Sequence, residues 1–223
     1  MATVASDSQK LYSLRFNDTG LEKRSRVWKV LCQSFFNPLI DPHSTVLDLA
    51  CGYGEFINNV RCARKLAVDV NPDTRARLNP GVEFYRSNAT DLKEIEPASV
   101  DTVFTSNFLE HLRSRKECDR VLKNVRRVLK LNGQFFVLGP NIKYAYREYW
   151  DYYDHTLPLS DAAISEGLRQ TGFAISRIIP RFLPYTMKSS LPTPDIFIRT
   201  YLAFPIAWRI FGKQFLVIAR KQT

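Results

Sequence analysis

Val46-Leu47-Asp48-Leu49-Ala50-Cys51-Gly52-Tyr53-Gly54-Glu55-Phe56 is the stretch that decides how this chain folds. Its first half reads as a buried strand, and the small residues that follow require a sharp turn into a helix. Gly52 and Gly54 reach positive φ without a Cβ penalty, and Ala50 is nearly as slim. Such a turn lets a ligand lie against bare backbone at a helix N-terminus. One carboxylate, Asp48, precedes the turn. A second, Asp69, closes the next apolar run, Lys65-Leu66-Ala67-Val68-Asp69. This spacing fits a βαβ unit that holds a nucleoside, with an acidic group on the ribose hydroxyls.

What the loop lacks narrows the ligand. A dinucleotide fingerprint needs a third glycine, but that position is Ile57, and no Gly-Lys-Ser/Thr follows for a phosphate loop. A helix N-terminus of this kind suits one carboxylate better than a pyrophosphate. Asp48-x-Ala50-x-Gly52-x-Gly54 resembles the first motif of class I S-adenosylmethionine-dependent methyltransferases, whose usual form has glycine where Ala50 stands. The alternative is a glycine turn in an unrelated α/β protein. The resemblance implies S-adenosyl-L-methionine as cofactor and S-adenosyl-L-homocysteine as product.

The 223 residues, 45% hydrophobic and 13% aromatic, suit one compact domain with a sizeable core. Cys32, Cys51, Cys62 and Cys118 show neither C-x-x-C pairing nor disulfide-like spacing, which argues for a reducing compartment and against structural zinc; no metal site is expected. The first residues lack a basic region followed by an apolar core, and no run of 18 uncharged apolar residues occurs, so a cytoplasmic protein is expected. The net charge of +10 is uneven. Residues 1–100 carry 13 Lys+Arg against 12 Asp+Glu, while residues 101–223 carry 19 against 10. A basic half can meet nucleic acid, anionic lipid or an anionic small substrate, or it can simply keep a surface soluble.

Alternating patterns place a helix over much of residues 10–37. Strands follow at 45–50, 66–70, 82–85, 100–105, 133–138, 173–179 and 214–219, with helices near 55–62, after Pro72, at 116–131 and at 159–171. The fold class is α/β, a doubly wound and mainly parallel sheet with helices on both faces. The resemblance adds seven strands in the order 3-2-1-4-5-7-6 with strand 7 antiparallel. Residues 1–43 form an N-terminal segment, 44–180 with 213–223 the core fold, and 181–212 an insertion. On helix 116–131, Lys116, Arg120, Lys123, Arg127 and Lys130 form one stripe opposite an apolar face. With no aromatic residue interleaved for stacking, the stripe reads as a solvated face, and a nucleic-acid partner is not expected.

Ligands of doubly wound sheets collect at the carboxyl ends of the strands. Ala50, Cys51, Gly52 and Gly54, with Asp48 before them, should pass under the methionine part of the cofactor. Asp69, with Val70 beside it, should take the ribose hydroxyls, or else cap the helix after Pro72. Asn88, Ala89 and Asp91 should meet the adenine, although Asp91 can equally cap a following helix. Ser106-Asn107-Phe108-Leu109-Glu110-His111-Leu112 resembles the family's fourth motif, with Asn107, Phe108 and His111 beside the cofactor and Glu110, with His111, opening a helix at the rim. It lacks the Asp/Asn-Pro-Pro-Tyr/Phe of enzymes that methylate nucleobase amines.

Residues 140–155 carry five tyrosines and a tryptophan among ionisable groups, and a loop this long is uncommon unless functional. Tyr146, Tyr149, Trp150, Tyr152 and Tyr153, with Tyr185 from the insertion, offer aromatic faces to an acceptor, or else only seal the domain. A hydroxyl acceptor needs its proton taken. Of three histidines, His43 lies at the wrong end of the sheet, leaving His155, with Asp154 beside it, and then His111 as bases. The insertion, rich in aromatic residues and arginine, is a lid, a dimer contact or a surface in peripheral contact with a membrane; Pro205 prevents one long amphipathic helix. The expected function is methyl transfer to a small-molecule acceptor, at a hydroxyl of a sugar or natural-product-like compound. The alternatives are a lipid-linked or RNA acceptor, or a non-catalytic S-adenosylmethionine-binding protein. The oligomeric state is not set by the sequence.

Overall fold

The computed structural model describes residues 18–185 and 194–223; the expected helical residues 10–17, and Met187, Lys188 and Pro192 of the insertion, lie outside them. The chain opens with α1 (Asp18–Leu31), which continues into a π-helical turn and a 3₁₀ turn as far as Leu39. Then follow β1 (Thr45–Leu49), α2 (Glu55–Asn59), β2 (Arg64–Asp69), β3 (Val82–Arg86), β4 (Val100–Ser106), α3 (Arg115–Val128) and β5 (Leu129–Pro140). The rest is α4 (Ile142–Ala145), α5 (Asp161–Gln170), β6 (Phe173–Leu183), α6 (Asp195–Ala203), α7 (Pro205–Phe211) and β7 (Gln214–Lys221).

The seven strands form one sheet in the order β3-β2-β1-β4-β5-β7-β6. β1 pairs in parallel with β2 and β4, and β7 runs antiparallel to both β5 and β6. The chain order reverses at β1, so the switch point lies between β1 and β4, where the carboxyl ends of both strands open toward a ligand.

Alternation along the strands splits the core into two layers. On one face Leu47, Leu66, Val103, Phe135 and Val217 pack under Val121, Leu122 and Val125 of α3 and Ile164 and Leu168 of α5. On the other, Val46, Ala67, Phe104 and Phe136 meet Trp28 and Leu31 of α1, Phe56 and Ile57 of α2, and Trp208 of α7. Phe56 stacks on Phe104 with centroids 3.7 Å apart, which seats α2 directly over the first strand's turn.

Two boundaries depart from the periodicity. The helix expected to 131 stops at Val128, because Leu129 pairs with Val100 and opens β5 four residues earlier than its alternation suggests. Its start is well marked: Ser114 Oγ accepts the Glu117 N–H, and Glu117 Oε2 accepts the Arg113 N–H. The insertion folds as two short helices, with Pro205 in the first turn of the second, where it lacks no needed donor.

Candidate active site

The first turn is built from strained backbone. Ala50, Gly52 and Gly54 have φ of 56°, 56° and 77°. For Ala50 this left-handed conformation carries a cost of about 1 kcal/mol that glycine would not have. A Cβ on Gly54 would stand 2.3 Å from Leu78 Cδ2, and its φ of 77° strains any other residue there. Cys51 N–H donates to Val68 O at 3.1 Å, and the buried Thr74 donates its hydroxyl to Gly52 O at 2.7 Å. Thr74 is a support that no motif spacing singled out.

Asp69 fixes this turn to the end of β2. Its Oδ2 accepts the Gly52 N–H at 2.7 Å and its Oδ1 the Asn71 N–H at 2.8 Å. Burial raises its pKa, and the Asn71 and Gly52 N–H groups oppose that rise. Each oxygen keeps a second lone pair, as two vicinal hydroxyls require. The helix-cap alternative falls to Asn71, whose side chain accepts the Asp73 N–H. Asn71 is buried, and its amide nitrogen has no partner, leaving a donor beside the same turn.

Asp48 is buried under the turn, where Oδ2 accepts the Ile57 N–H at 3.3 Å. Burial raises its pKa well above the usual carboxylate range. Its place is beneath α2, so it supports the cradle from below. Cys51 is likewise buried, and Val70 is half-buried.

In the loop after β3, Asn88 Oδ1 accepts both the Thr90 N–H and its hydroxyl, a closed turn, while Ala89 packs into the core. No helix follows Asp91, so its capping alternative fails; it is exposed and pairs with Lys93 at 3.1 Å. Helix α3 holds this loop from outside. Asn124 donates to Ala89 O, and the Arg127 guanidinium donates to Leu92 O and Ile95 O. After β4, Asn107 takes φ 49° and donates its N–H to Leu138 O, while Phe108 leans on the core. Asparagine tolerates that conformation better than most residues.

The fourth and fifth loops are sewn together. Thr156 and Leu157 donate their N–H groups to Glu110 O at 2.9 and 3.0 Å, and the Thr156 hydroxyl donates to Leu112 O at 2.8 Å. This brings Glu110, His111, Asp154 and His155 into one group. His155 Nδ1 lies 2.9 Å from Tyr149 O. His111 Nδ1 lies 3.1 Å from Asp154 Oδ2 and 3.2 Å from Asp154 O. These oxygens only accept, so each Nδ1 carries a proton and each neutral ring keeps its lone pair on Nε2. Burial raises the Glu110 carboxyl to about 7, with His111 opposing. Burial works against a charged His111, but Asp154 and Glu110 outweigh it and raise the ring's pKa.

The aromatic residues separate into three roles. Tyr152 stacks on the His155 ring at 4.8 Å, and Tyr185 Oη lies 3.3 Å from His155 Nδ1, so both wall the group. Tyr149 is fully buried behind it, and among the described residues its phenol oxygen has no hydrogen-bond partner. It therefore does not offer a face to an acceptor, as the sequence suggested. Tyr146, Trp150 and Tyr153 are exposed, Tyr153 being 94% exposed. Glu110, which sequence reading left at the rim, is buried within the group.

Residues 47–137 match the methyltransferase domain family. Sheet order and first turn are those of the class I S-adenosylmethionine-dependent methyltransferase fold, in line with that match. A curated relative, the ubiquinone/menaquinone biosynthesis C-methyltransferase UbiE of Rhizobium rhizogenes, is 32% identical over 127 residues, 51% of this chain and 48% of that protein. The chain thus spans about half the length of the curated relatives it matches. Among solved structures, a SAM-dependent methyltransferase from Thermotoga maritima superposes with TM-score 0.67 at 17% identity, covering 96% of this chain and 99% of that one. One from Archaeoglobus fulgidus gives TM-score 0.65 at 21% identity, covering 89% and 94%. At these identities the likeness establishes the fold.

Proposed function

We propose that this protein transfers a methyl group to a hydroxyl oxygen of a small acceptor bound against the Glu110–His111–Asp154–His155 group. The cofactor supplies the methyl group as an activated sulfonium. The chain's own residues would do the rest. Asp69 and Asn71 would hold the nucleoside end, and the positive-φ turn would admit the amino-acid end against backbone. Tyr152 and Tyr185 would flank the acceptor, and the histidine group would accept its proton. Holding donor and acceptor in line supplies most of the acceleration for so reactive a donor. The observation that carries the reading is the buried Glu110–His111–His155 group, fixed by backbone hydrogen bonds beside the switch point. A hydroxyl cannot attack well while it keeps its proton, and groups titrating near neutrality are suited to removing it.

His155→Ala should lower turnover about 100- to 10,000-fold while leaving the thermal shift produced by S-adenosylhomocysteine in place. Full turnover in that variant would refute the assignment. The UbiE relatives are named as C-methyltransferases, and NMR of the methylated product separates oxygen from carbon as the acceptor atom.

A lipid-linked acceptor is favoured by a second observation. Ile196 and Phe197 on α6, Phe204 between the helices, and Ile206, Ile210 and Phe211 on α7 are each at least 60% exposed, with Arg209 among them. Contiguous apolar surface of this kind marks a contact, and with basic residues it suits an anionic membrane interface. Co-sedimentation with anionic vesicles should be strong for the natural protein and fall at least about tenfold in Phe197→Ser/Ile206→Ser/Phe211→Ser. Equal sedimentation of the two proteins would refute membrane contact.

A further inference from the structure

We propose that Glu110, His111 and His155 form a binding site for one divalent transition-metal cation, whose open positions take an oxygen of the acceptor. The inference rests on the reading of this group as the acceptor's side. One donor atom from each of the three residues lies within 4.8 Å of the others. Donors about 2.0–2.2 Å from a cation stand roughly 3.0–3.5 Å apart, so side-chain rotations on the order of 1 Å close the set. No such pattern shows in the sequence, because His155 arrives from a different strand's loop.

The surroundings are those a ligand histidine needs. A metal-bound imidazole donates its other N–H to a carboxylate or carbonyl, which fixes the ring and raises its basicity. His111 does so to Asp154, through both its carboxylate and its carbonyl, and His155 does so to Tyr149 O. The loops are locked by the Thr156 and Leu157 N–H bonds to Glu110 O, so the donors are held before any ion arrives. The buried phenol oxygen of Tyr149, without a partner among the described residues, supplies a further polar atom behind the group.

Two imidazoles and one carboxylate favour zinc, manganese, cobalt or iron over magnesium, which prefers oxygen ligands. Three protein ligands leave positions open for the acceptor. An acceptor hydroxyl held there loses its proton more readily. The O–H bond breaks with its proton passing to solvent rather than onto His155, the oxygen forms the new bond to the methyl carbon, and the C–S bond breaks with its electron pair on sulfur.

The test uses the full chain, stripped with a chelator that is then removed, and titrated with Co²⁺ in the visible range. One Co²⁺ per chain is expected, displaced by Zn²⁺ and not by Mg²⁺. Glu110→Gln, His111→Asn and His155→Asn should each weaken Co²⁺ binding at least about tenfold, and Asp154→Asn by roughly 10- to 100-fold. The thermal shift with S-adenosylhomocysteine, unchanged in these variants, shows that they fold. His43 and the Cys62 thiol are intact in all of them, so binding there would survive every substitution. Co²⁺ binding that does survive, or none at millimolar Co²⁺, overturns the site. Wild-type turnover undiminished by chelator overturns the cation's part in the reaction and leaves His155 as the direct base. Absence of any S-adenosylhomocysteine shift refutes the cofactor reading separately.

Discussion

Asp48 and Asp69 sit near the ends of adjacent parallel strands in different settings. Asp69 stands at the last position of its strand with both oxygens held by backbone N–H groups at its rim, whereas Asp48 is enclosed beneath α2. Sequence spacing shows both acids and cannot tell which side of the turn each one takes. Glu110 illustrates the same limit. Its burial is created by Thr156 and Leu157, more than forty residues on, so no local pattern marks it. Its consequence is measurable. The folded pKa of about 7 lies above the ordinary 4.5, so folding favours the protonated acid. This contribution is fully present below pH 4.5 and is lost as pH rises through 7, a swing of about 3 kcal/mol. The raised pKa of His111 acts in the same direction. In chelator, Glu110→Gln should flatten the decline in unfolding free energy between pH 4.5 and 7. A decline of unchanged size in the variant would show that Glu110 is not held protonated by the fold.

Elements whose identity depends on period were legible, and those settled by a distant partner were not. Helix α3 has an apolar face of five buried residues, which its periodicity shows. Its end was misplaced because pairing with β4, a long-range event, claims Leu129. The basic stripe on α3 also divides. Lys116, Arg120 and Lys123 are exposed, as the solvated reading expects. Lys130 lies outside the helix and pairs with Asp101 at 2.8 Å, and Arg127 is turned inward onto Leu92 O and Ile95 O. Lys116→Gln/Lys123→Gln should therefore change neither stability nor S-adenosylhomocysteine affinity. Arg127→Gln should cost about 1–3 kcal/mol of stability, because two inward carbonyls lose a charged donor. Denaturant unfolding of both variants decides this, and equal midpoints would contradict the division. The insertion follows the same rule: Pro205 predicts the break between α6 and α7, but Ile198, Leu202 and Trp208 turning inward while six large apolar residues face out depends on packing against α1 and β6.

Across the whole molecule, sheet, turn and acid converge on one edge, and that convergence can be tested without knowing the acceptor. The first turn has glycines for a single carboxylate-bearing ligand and lacks the third glycine that a pyrophosphate requires. Asp69 holds Gly52 N–H and Asn71 N–H, so the ribose-side acceptor and the turn behave as one rigid piece. A ligand that binds only the native chain raises its melting temperature by mass action, by about 2.7 kcal/mol of stability at a hundredfold excess over Kd. S-adenosylhomocysteine should produce such a shift, and NAD at the same concentration should not. Among the described residues no helix is long and apolar enough to cross a membrane. Asp69→Ala should weaken S-adenosylhomocysteine by about 1–3 kcal/mol, through loss of a charged hydrogen-bond acceptor and loosening of Gly52. Asp48→Asn keeps the shape beneath α2 and an oxygen for Ile57 N–H, and should leave that affinity within about twofold. If NAD shifts the melting point as far as S-adenosylhomocysteine, or if Asp48→Asn weakens binding as much as Asp69→Ala, the division between a ligand-facing acid and a supporting acid is wrong.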